Sequence, residues 1–365
     1  MKILIIGGGL FGSTAAFTLA DKNNTVDLIE ESNDIMVRAS FVNHNRIHLG
    51  YHYLRSIETA EQSIEGLLSF LFTFGNSVRY QFPNYYAIAR SGSATTPEQF
   101  IDFCNKVGIG YEEEYPEKNL LNKEVISSSF RVPEPVWDYN SIKTTVQQQL
   151  ARSGVNVVLN KRCNSIHLRH DGQFEVMINN ETSCYDIVIN ATYSNINNIN
   201  RMLGAESKML LFEDVFIPKF SFSHVATGLT IMDGKFCSVM PYGNTENEFL
   251  LYHVKESILA SELSELNPYF EKQYVELSSE MIKNIYRESE LFMPFLSEVT
   301  HLQYNRTTRT VFKNTDDARL TEISTFENIP NYFSILSGKL TTCMQVALEI
   351  KHKIQGKKIT KRFKI

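Results

Sequence analysis

The sequence has little of several features that would indicate a particular compartment or partner. It contains five cysteines, an odd number, and none of them forms a Cys-x-x-Cys pair. This pattern is typical of reduced thiols, and it argues against a disulfide framework or a zinc site. No apolar run approaches the length of about 18 residues that a transmembrane helix needs. The first apolar run stops at three glycines, unlike a signal peptide. We therefore expect a cytoplasmic protein without a membrane-spanning segment.

The chain also has no excess of positive charge. Its formal net charge is −5 at pH 7, and its pI is near 6.0. A nucleic acid is therefore not an expected partner. One local exception is the segment 351–364, which is rich in lysine and has no acidic residue. We interpret it as a solvated tail, and peripheral contact with an anionic membrane surface is the alternative.

The amino-terminal segment has the pattern of a strand, a glycine turn and a helix. With 365 residues the chain exceeds the usual size of a single hydrophobic core, so about two domains are expected. Residues 2–6 are almost wholly apolar, as in a parallel strand that is buried on both faces. They lead directly into Gly7-Gly8-Gly9-Leu10-Phe11-Gly12, which matches G-x-G-x-x-G. A helical stretch follows over 13–20, and a second strand over 25–29 ends at Glu30.

Each position of this turn has a mechanical reason. Gly7 permits the tight turn, Gly9 lets the backbone approach a pyrophosphate, and Gly12 allows close packing of helix on strand. The helix N-terminus then presents unpaired N–H groups to the pyrophosphate. Glu30 is placed to accept hydrogen bonds from ribose hydroxyls. The segment predicts a dinucleotide site, without distinguishing FAD from NAD, that is formed by Gly7, Gly9, Leu10, Phe11, Gly12 and Glu30.

The rest of the chain alternates between two patterns, which predict a discontinuous domain with an insertion. A helix over 140–153 and short strands between 155 and 191 continue the nucleotide-binding pattern. Alternating, aromatic-rich segments between 216 and 254 predict an antiparallel sheet, and 267–290 reads as a helix. We predict an α/β protein with a Rossmann-like cofactor domain (1–80, 139–204 and 301–365). The inserted substrate domain, mostly antiparallel β, spans 81–138 and 205–300.

Four segments together resemble the D-amino-acid-oxidase-like (DAO) superfamily of flavoproteins. Within it they look most like the glycerol-3-phosphate dehydrogenase and 2-hydroxyglutarate oxidase branch. The segments are the glycine turn, residues 45–55 (Asn-Arg-Ile-His-Leu-Gly-Tyr-His-Tyr-Leu-Arg), residues 188–192 (Val-Ile-Asn-Ala-Thr) and residues 336–342 (Leu-Ser-Gly-Lys-Leu-Thr-Thr). The resemblance implies FAD as the cofactor. It also implies an enzyme that takes a hydride from a CH–OH or CH–NH centre of a small anionic substrate, such as a sugar or polyol derivative. The electron acceptor, oxygen or a quinone, stays open.

The same resemblance implies roles for individual residues. Independently of the resemblance, a helix that begins near Thr341 could, together with Lys339, stabilise negative charge on the reduced flavin, and a solvated cap residue is the alternative for Lys339. Cys163 falls where the family has a valine whose backbone meets the adenine. The implied catalytic residues are His48, Arg309 and Lys339, and the implied substrate-binding residues are His52, Arg309 and Arg319. The further implied cofactor contacts are Arg46, Cys163, Ala191, Thr192, Gly338, Lys339, Leu340 and Thr341.

Some positions depart from the family pattern. Leu49-Gly50 replaces a Gly-Gly pair, His52 replaces an arginine, and Ser337 replaces the first glycine before the lysine. Because these positions surround the implied substrate site, glycerol 3-phosphate itself is not the expected substrate. An isomerase or mutase that cycles FAD without net oxidation, and a non-catalytic dinucleotide-binding protein, are the alternative functions.

The histidines of this region raise the question of a metal site. His44, His48 and His52 recur at four-residue spacing, which would place them on one face of a helix. Asn43, Asn45 and Gly50 instead favour a loop, and no carboxylate lies among the histidines. We therefore predict no metal. For His48 a structural role remains as the alternative to acid–base or substrate-orienting chemistry.

Overall fold

The computed structural model describes residues 1–117, 119–270, 276–313 and 320–356. In these residues the helices are α1 (Leu10–Leu19), α2 (Ile57–Phe74), α3 (Pro97–Val107), α4 (Tyr139–Arg152), α5 (Ile196–Met202), α6 (Ser279–Glu290) and α7 (Cys343–Ile354). The strands are β1 (Lys2–Ile6), β2 (Thr25–Ile29), β3 (Val78–Arg79), β4 (Asn84–Ala89), β5 (Glu112–Glu113), β6 (Ile126–Arg131), β7 (Val136–Trp137), β8 (Asn156–Val158), β9 (Cys163–Leu168), β10 (Phe174–Ile178), β11 (Glu181–Tyr185), β12 (Ile187–Asn190), β13 (Leu210–Ser221), β14 (Gly228–Met232), β15 (Cys237–Pro241), β16 (Glu248–His253), β17 (Ile258–Ser264), β18 (Thr300–Phe312), β19 (Glu322–Phe326) and β20 (Ile329–Leu336).

The first large sheet has the order β19-β20-β12-β1-β2-β8. All neighbours are parallel except β19, which runs antiparallel to β20. Residues 3–5 of β1 are completely buried, as the apolar run predicts for a central strand that is covered on both faces. One core joins this sheet to α1, α4 and α7. A sheet of this order with covering helices confirms the Rossmann-like part of the prediction.

The glycine turn joins β1 to α1 as closely as the motif predicts. Gly7 has φ +104°, and a Cβ there would lie 2.7 Å from the carbonyl oxygen of Ala191. A Cβ on Gly12 would lie 1.9 Å from the carbonyl oxygen of Gly7. Side chains are therefore excluded at both positions, because backbone atoms occupy the space. Helix α1 begins after Gly9, which has no side chain that could cap the helix.

The second large sheet has the order β17-β13-β16-β15-β14-β4-β6-β5, and β18 pairs with β13. Most pairs are antiparallel, but β14 and β4 are parallel. Strand β18 pairs with β13 along its whole length. Residues 301–312 thus lie in this sheet, although the sequence pattern assigned them to the cofactor domain. The long pairing between positions about 90 residues apart explains the difference, since no local pattern reveals it.

Two local predictions need correction. The helix predicted over 267–290 begins only at Ser279, where Ser278 accepts a hydrogen bond from the Met281 N–H as its cap. The helix expected from Thr341 begins at Cys343 and follows a short 3₁₀ turn, Leu340–Thr342.

Arg319 and the basic residues beyond 356 lie outside the described residues. In the described part of the chain, no helix is long and apolar enough to cross a membrane.

Candidate active site

A cavity of about 860 Å³ is lined by residues of both large sheets. Its volume is within the range of small-molecule and cofactor sites, about 300–1,000 Å³. Gly12 and Thr341 lie behind the wall as buried packing residues, and Arg319 is not described. The other residues that the sequence nominated all line the cavity: Gly7, Gly9, Leu10, Phe11, Glu30, Arg46, His48, His52, Cys163, Ala191, Thr192, Arg309, Gly338, Lys339 and Leu340.

One end of the cavity is the glycine turn. Glu30 follows β2, and its carboxylate accepts hydrogen bonds from the N–H groups of Gly8 at 2.7 Å and Ser32 at 2.9 Å. These bonds hold the carboxylate beside the turn, at the cavity wall. The first N–H of α1, on Leu10, donates to the Ser40 hydroxyl at 3.0 Å. Local sequence thus places a backbone cradle and one acid together at this end.

The other end carries a group of four residues: His48, His52, Tyr53 and Lys339. We call it the histidine–lysine group. The Tyr53 ring contacts its neighbours, with its centroid 5.6 Å from that of His48 and 4.0 Å from the Lys339 Nζ. Lys339 is only 5% exposed. Burial, followed by the charge of Arg46, holds its pKa well below the ordinary value. Lys339 is thus a buried amine on the cavity wall.

A buried polar cluster that the sequence did not predict supports this group. Arg46 donates to the Tyr86 hydroxyl at 2.6 Å and to the Thr230 hydroxyl at 2.7 Å. It also pairs with Glu134 at 3.4 Å, where both side chains are almost inaccessible. Glu134 accepts the N–H of Leu49 and lies 3.9 Å from the Nδ1 atom of His48. The guanidinium of Arg46, which was expected to meet the cofactor, is therefore committed to protein partners.

The second sheet forms the opposite wall through Thr230, Ser238, Tyr252 and Arg309, which we call the sheet floor. Thr230, Ser238 and Tyr252 are in register on three neighbouring strands. His44 reaches this floor, with Nε2 3.1 Å from the Leu250 carbonyl oxygen and Nδ1 3.4 Å from the Ser238 hydroxyl. Burial lowers the pKa of His44 to about 3, so its ring is neutral.

Arg309 has a partner that the sequence did not reveal. Glu213 stands opposite it in the β13–β18 register and accepts its Nε–H at 2.6 Å. A second N–H of Arg309 donates to the Tyr252 hydroxyl. Burial opposes the charge of Arg309, but Tyr252 and Glu213 outweigh burial and raise its pKa. The guanidinium lies on the cavity wall as predicted, but as half of an ion pair.

The three histidines at four-residue spacing do not form a metal site in this geometry. They lie in a loop, and His44 turns to the sheet floor while His48 and His52 lie near Tyr53. Among the residues that the structure describes, no cluster of three histidine, cysteine or acidic side chains could hold a metal.

The residues present fit a flavin dinucleotide. The turn has no Cβ where Gly7 and Gly12 meet backbone atoms, and a Cβ on Gly9 would approach the Ser40 hydroxyl at 3.4 Å. At the far end, the buried Tyr53 hydroxyl has no hydrogen-bond partner among the described residues. A cradle at one end and a polar group at the other suit a long cofactor with a polar ring system.

These features define a dinucleotide-binding protein in which a Rossmann-like sheet and a second sheet line one shared cavity. Family comparison makes the assignment specific: the family model "FAD dependent oxidoreductase" (DAO) matches residues 2–305, and the chain belongs to that family. It is an FAD-dependent oxidoreductase. The family does not establish the branch that the motifs suggested.

Individual proteins agree with this assignment. The chain is 27% identical over 238 residues to "FAD-dependent monooxygenase FPY4" of Fusarium mangiferae, which covers 65% of this chain and 60% of that protein. It is 27% identical over 286 residues to "FAD-dependent monooxygenase kojA" of Aspergillus flavus, covering 72% and 64%. The chain thus spans less than two thirds of both relatives.

The fold is also that of a solved flavoenzyme. The L-alpha-glycerophosphate oxidase of Mycoplasma pneumoniae with FAD bound superposes with a TM-score of 0.77, covering 99% of this chain and 96% of that chain. The sequences are 16% identical, so this likeness shows the fold alone.

Proposed function

We propose that this enzyme oxidises a CH–OH or CH–NH centre of a small polar substrate at the histidine–lysine group. When bound, FAD supplies the two-electron acceptor, taking a hydride from the substrate carbon while the O–H or N–H proton goes to the protein. The observation that carries the proposal is that one continuous cavity is lined both by the glycine turn and by His48 and Lys339. A cofactor that starts at the turn would then end beside groups able to handle that proton.

The cofactor roles follow the cavity wall. The backbone at Gly7, Gly9, Leu10 and Phe11 would hold the pyrophosphate, and the Glu30 carboxylate would accept from the ribose. Cys163, the first residue of β9, would meet the adenine through its backbone. Ala191, Thr192, Gly338, Lys339 and Leu340 would line the remaining path toward the ring system, with Gly12 and Thr341 packed behind it.

Two side chains are suited to the proton transfer. His48 lies on the wall, and its Nδ1 atom is 3.9 Å from the buried Glu134 carboxylate, which would stabilise the imidazolium formed when the ring takes up a substrate proton. Lys339 lies beside the Tyr53 ring, and its burial lowers its pKa, which favours the neutral form of the amine. We assign His48 the role of proton acceptor from the substrate. Lys339 then orients the substrate and lies close to the negative charge that develops on the flavin when it is reduced.

The electron acceptor that completes the cycle is oxygen or a quinone. The two fungal relatives carry the word monooxygenase in their names, which supports oxygen as the first acceptor to test. We also propose that the chain belongs to the branch of the family that contains glycerol-3-phosphate dehydrogenases, because residues 45–55 and 336–342 resemble that branch.

The experiment is anaerobic mixing of the FAD-loaded protein with hydroxy acids, amino acids, sugars, polyols and their phosphates. Bleaching of the flavin absorbance by one class, followed by recovery on admission of oxygen or a quinone, is the expected result. Bleaching by none of these classes, in a protein that retains FAD, would contradict the proposal.

A further inference from the structure

Glu213 already neutralises the charge of Arg309, the arginine of the sheet floor. The two residues are opposite each other across β13 and β18, and their side chains are 11% and 17% exposed. A salt bridge with this geometry places a carboxylate where the carboxylate of an anionic substrate would have to compete. Tyr252 accepts a second N–H of the same guanidinium. Arg309 therefore has two protein partners before any ligand arrives.

The other cations near this end are compensated as well. Arg46 pairs with Glu134 in a fully buried contact, and Arg55 pairs with Asp233. Lys339 contacts the Tyr53 ring, and its burial lowers its pKa and so disfavours a positive charge there. The arginine of the sheet floor is thus neutralised by a carboxylate, and the lysine of the histidine–lysine group lies where burial disfavours its positive charge. An entering anion would lose its hydration without gaining a counter-charge.

Neutral hydrogen-bonding groups remain in good supply. Thr230, Ser238 and Tyr252 place hydroxyl groups on three neighbouring strands of the floor. Arg309 uses two of the five N–H donors of a guanidinium in the two bonds above. A row of donors and acceptors without net charge matches a compound that carries several hydroxyl groups, since each hydroxyl both donates and accepts.

We propose that the substrate is a neutral polyhydroxy compound of the sugar or polyol class, and that Glu213 determines this preference by neutralising Arg309. The inference rests on the proposed function, because it specifies the substrate of the same site. It replaces the anionic substrate that Arg309 alone suggested. The oxidised carbon would carry one of the hydroxyl groups, losing a hydride and a proton to become a carbonyl.

The test uses two series of probes that differ in charge on one carbon skeleton. They are D-glucose, D-gluconate and D-glucose 6-phosphate, and glycerol, glycerate and glycerol 3-phosphate. Anaerobic bleaching of the wild-type holoenzyme by a neutral member should be at least about tenfold more efficient than bleaching by its charged partners. Preference for a charged member would overturn the inference and leave the proposed function intact. Bleaching by no member of either series would count against both.

A variant tests the role of Glu213 by binding, independently of turnover. Glu213→Gln keeps the shape of the side chain but leaves the charge of Arg309 uncompensated. We expect gluconate and glycerate to bind about tenfold more tightly to the FAD-loaded variant, as measured by perturbation of the flavin absorbance and by thermal shift. Glu246→Gln is the matched control, since Glu246 pairs with Arg79 at an exposed site away from the cavity wall. Unchanged anion binding in a folded Glu213→Gln protein would refute the role of Glu213. If that variant fails to fold, the wild-type charge series still decides the substrate class.

Discussion

The Nζ atom of Lys339 lies 4.0 Å from the centroid of the Tyr53 ring, within a cavity wall that also contains His48. Lys339 is far from Tyr53 and His48 in the sequence. Tyr53 and His48 belong to the segment 45–55 and Lys339 to the segment 336–342, two of the segments that resemble the DAO superfamily. Lysine is rarely buried without a carboxylate partner because the charged form loses its hydration. The burial of Lys339 therefore lowers the stability of the folded protein, and residues that lower stability in this way often have a functional role.

The first prediction concerns the stability cost of Lys339. Its folded pKa lies well below the ordinary value of 10.5, so between that folded pKa and pH 10.5 the unfolded chain holds a proton that the folded chain lacks. Wild-type stability therefore rises with pH in that window. Lys339→Met should stabilise the cofactor-free protein at pH 7, and its advantage should shrink as the pH approaches 10. Urea unfolding at several pH values measures this. Lys106→Met, at an exposed site on α3, serves as the control, and a gap that does not vary with pH would contradict the prediction.

The second prediction concerns acid stability and His44. The folded pKa is about 3 and the ordinary value is 6.5. Between these values only the unfolded chain is protonated, so the protein should lose roughly 1.4 kcal/mol of stability per pH unit as the pH falls. His44→Gln should remove this component and unfold with a flatter pH profile between pH 6.5 and 4. Denaturant titrations of both proteins check it, with His352→Gln as an exposed control. Parallel profiles for wild type and His44→Gln would show that His44 titrates normally.

The third prediction concerns the glycine turn. Gly12→Ala places a Cβ 1.9 Å from the Gly7 carbonyl oxygen, so β1 and α1 must separate. We expect a destabilisation of about 1–3 kcal/mol or more, together with loss of bound FAD. The ratio of flavin to protein absorbance after dialysis measures the loss. Gly110→Ala is the matched control, because its Cβ would meet nothing within 4 Å. Equal FAD content in the two variants would disprove the role of the turn.

The fourth prediction separates His48 from its supporting cluster. His48→Asn should slow flavin reduction about 10²–10⁴-fold and leave FAD content unchanged, because it removes a proton acceptor. Glu134→Gln should shift the pH profile of reduction, because it removes the charge near the His48 Nδ1 atom. Rapid mixing across pH measures both. A His48→Asn protein that is reduced at the wild-type rate would leave His48 with a structural role only.

The local parts of the fold could be predicted because the signals are contiguous in sequence. Strand β1, the glycine turn, α1 and β2 each follow from a few neighbouring residues; the structure places both strands where they were predicted, and α1 begins three residues earlier than predicted, at Leu10. The family resemblance predicted that Lys339 and His48 belong to the active site. Both residues line the same cavity in the structure.

The partners of the site residues could not be predicted in this way. Glu213 meets Arg309 only because β13 and β18 pair over a long sequence separation. Glu134 reaches the Leu49 N–H across 85 positions. An arginine in a motif therefore indicates a guanidinium at the site but not its net charge, because that charge depends on a carboxylate from a distant strand. This is why an anionic substrate was the natural expectation from the sequence.

The central claim is that substrate oxidation occurs at the end of the cavity that His48 and Lys339 line. The most direct measurement is the anaerobic reduction rate of FAD-loaded protein with a bleaching substrate that carries hydrogen or deuterium on the reacting carbon. The account predicts slower bleaching with deuterium, and a further loss of rate in His48→Asn at unchanged FAD content. Flavin that stays oxidised with every class of substrate would contradict the account.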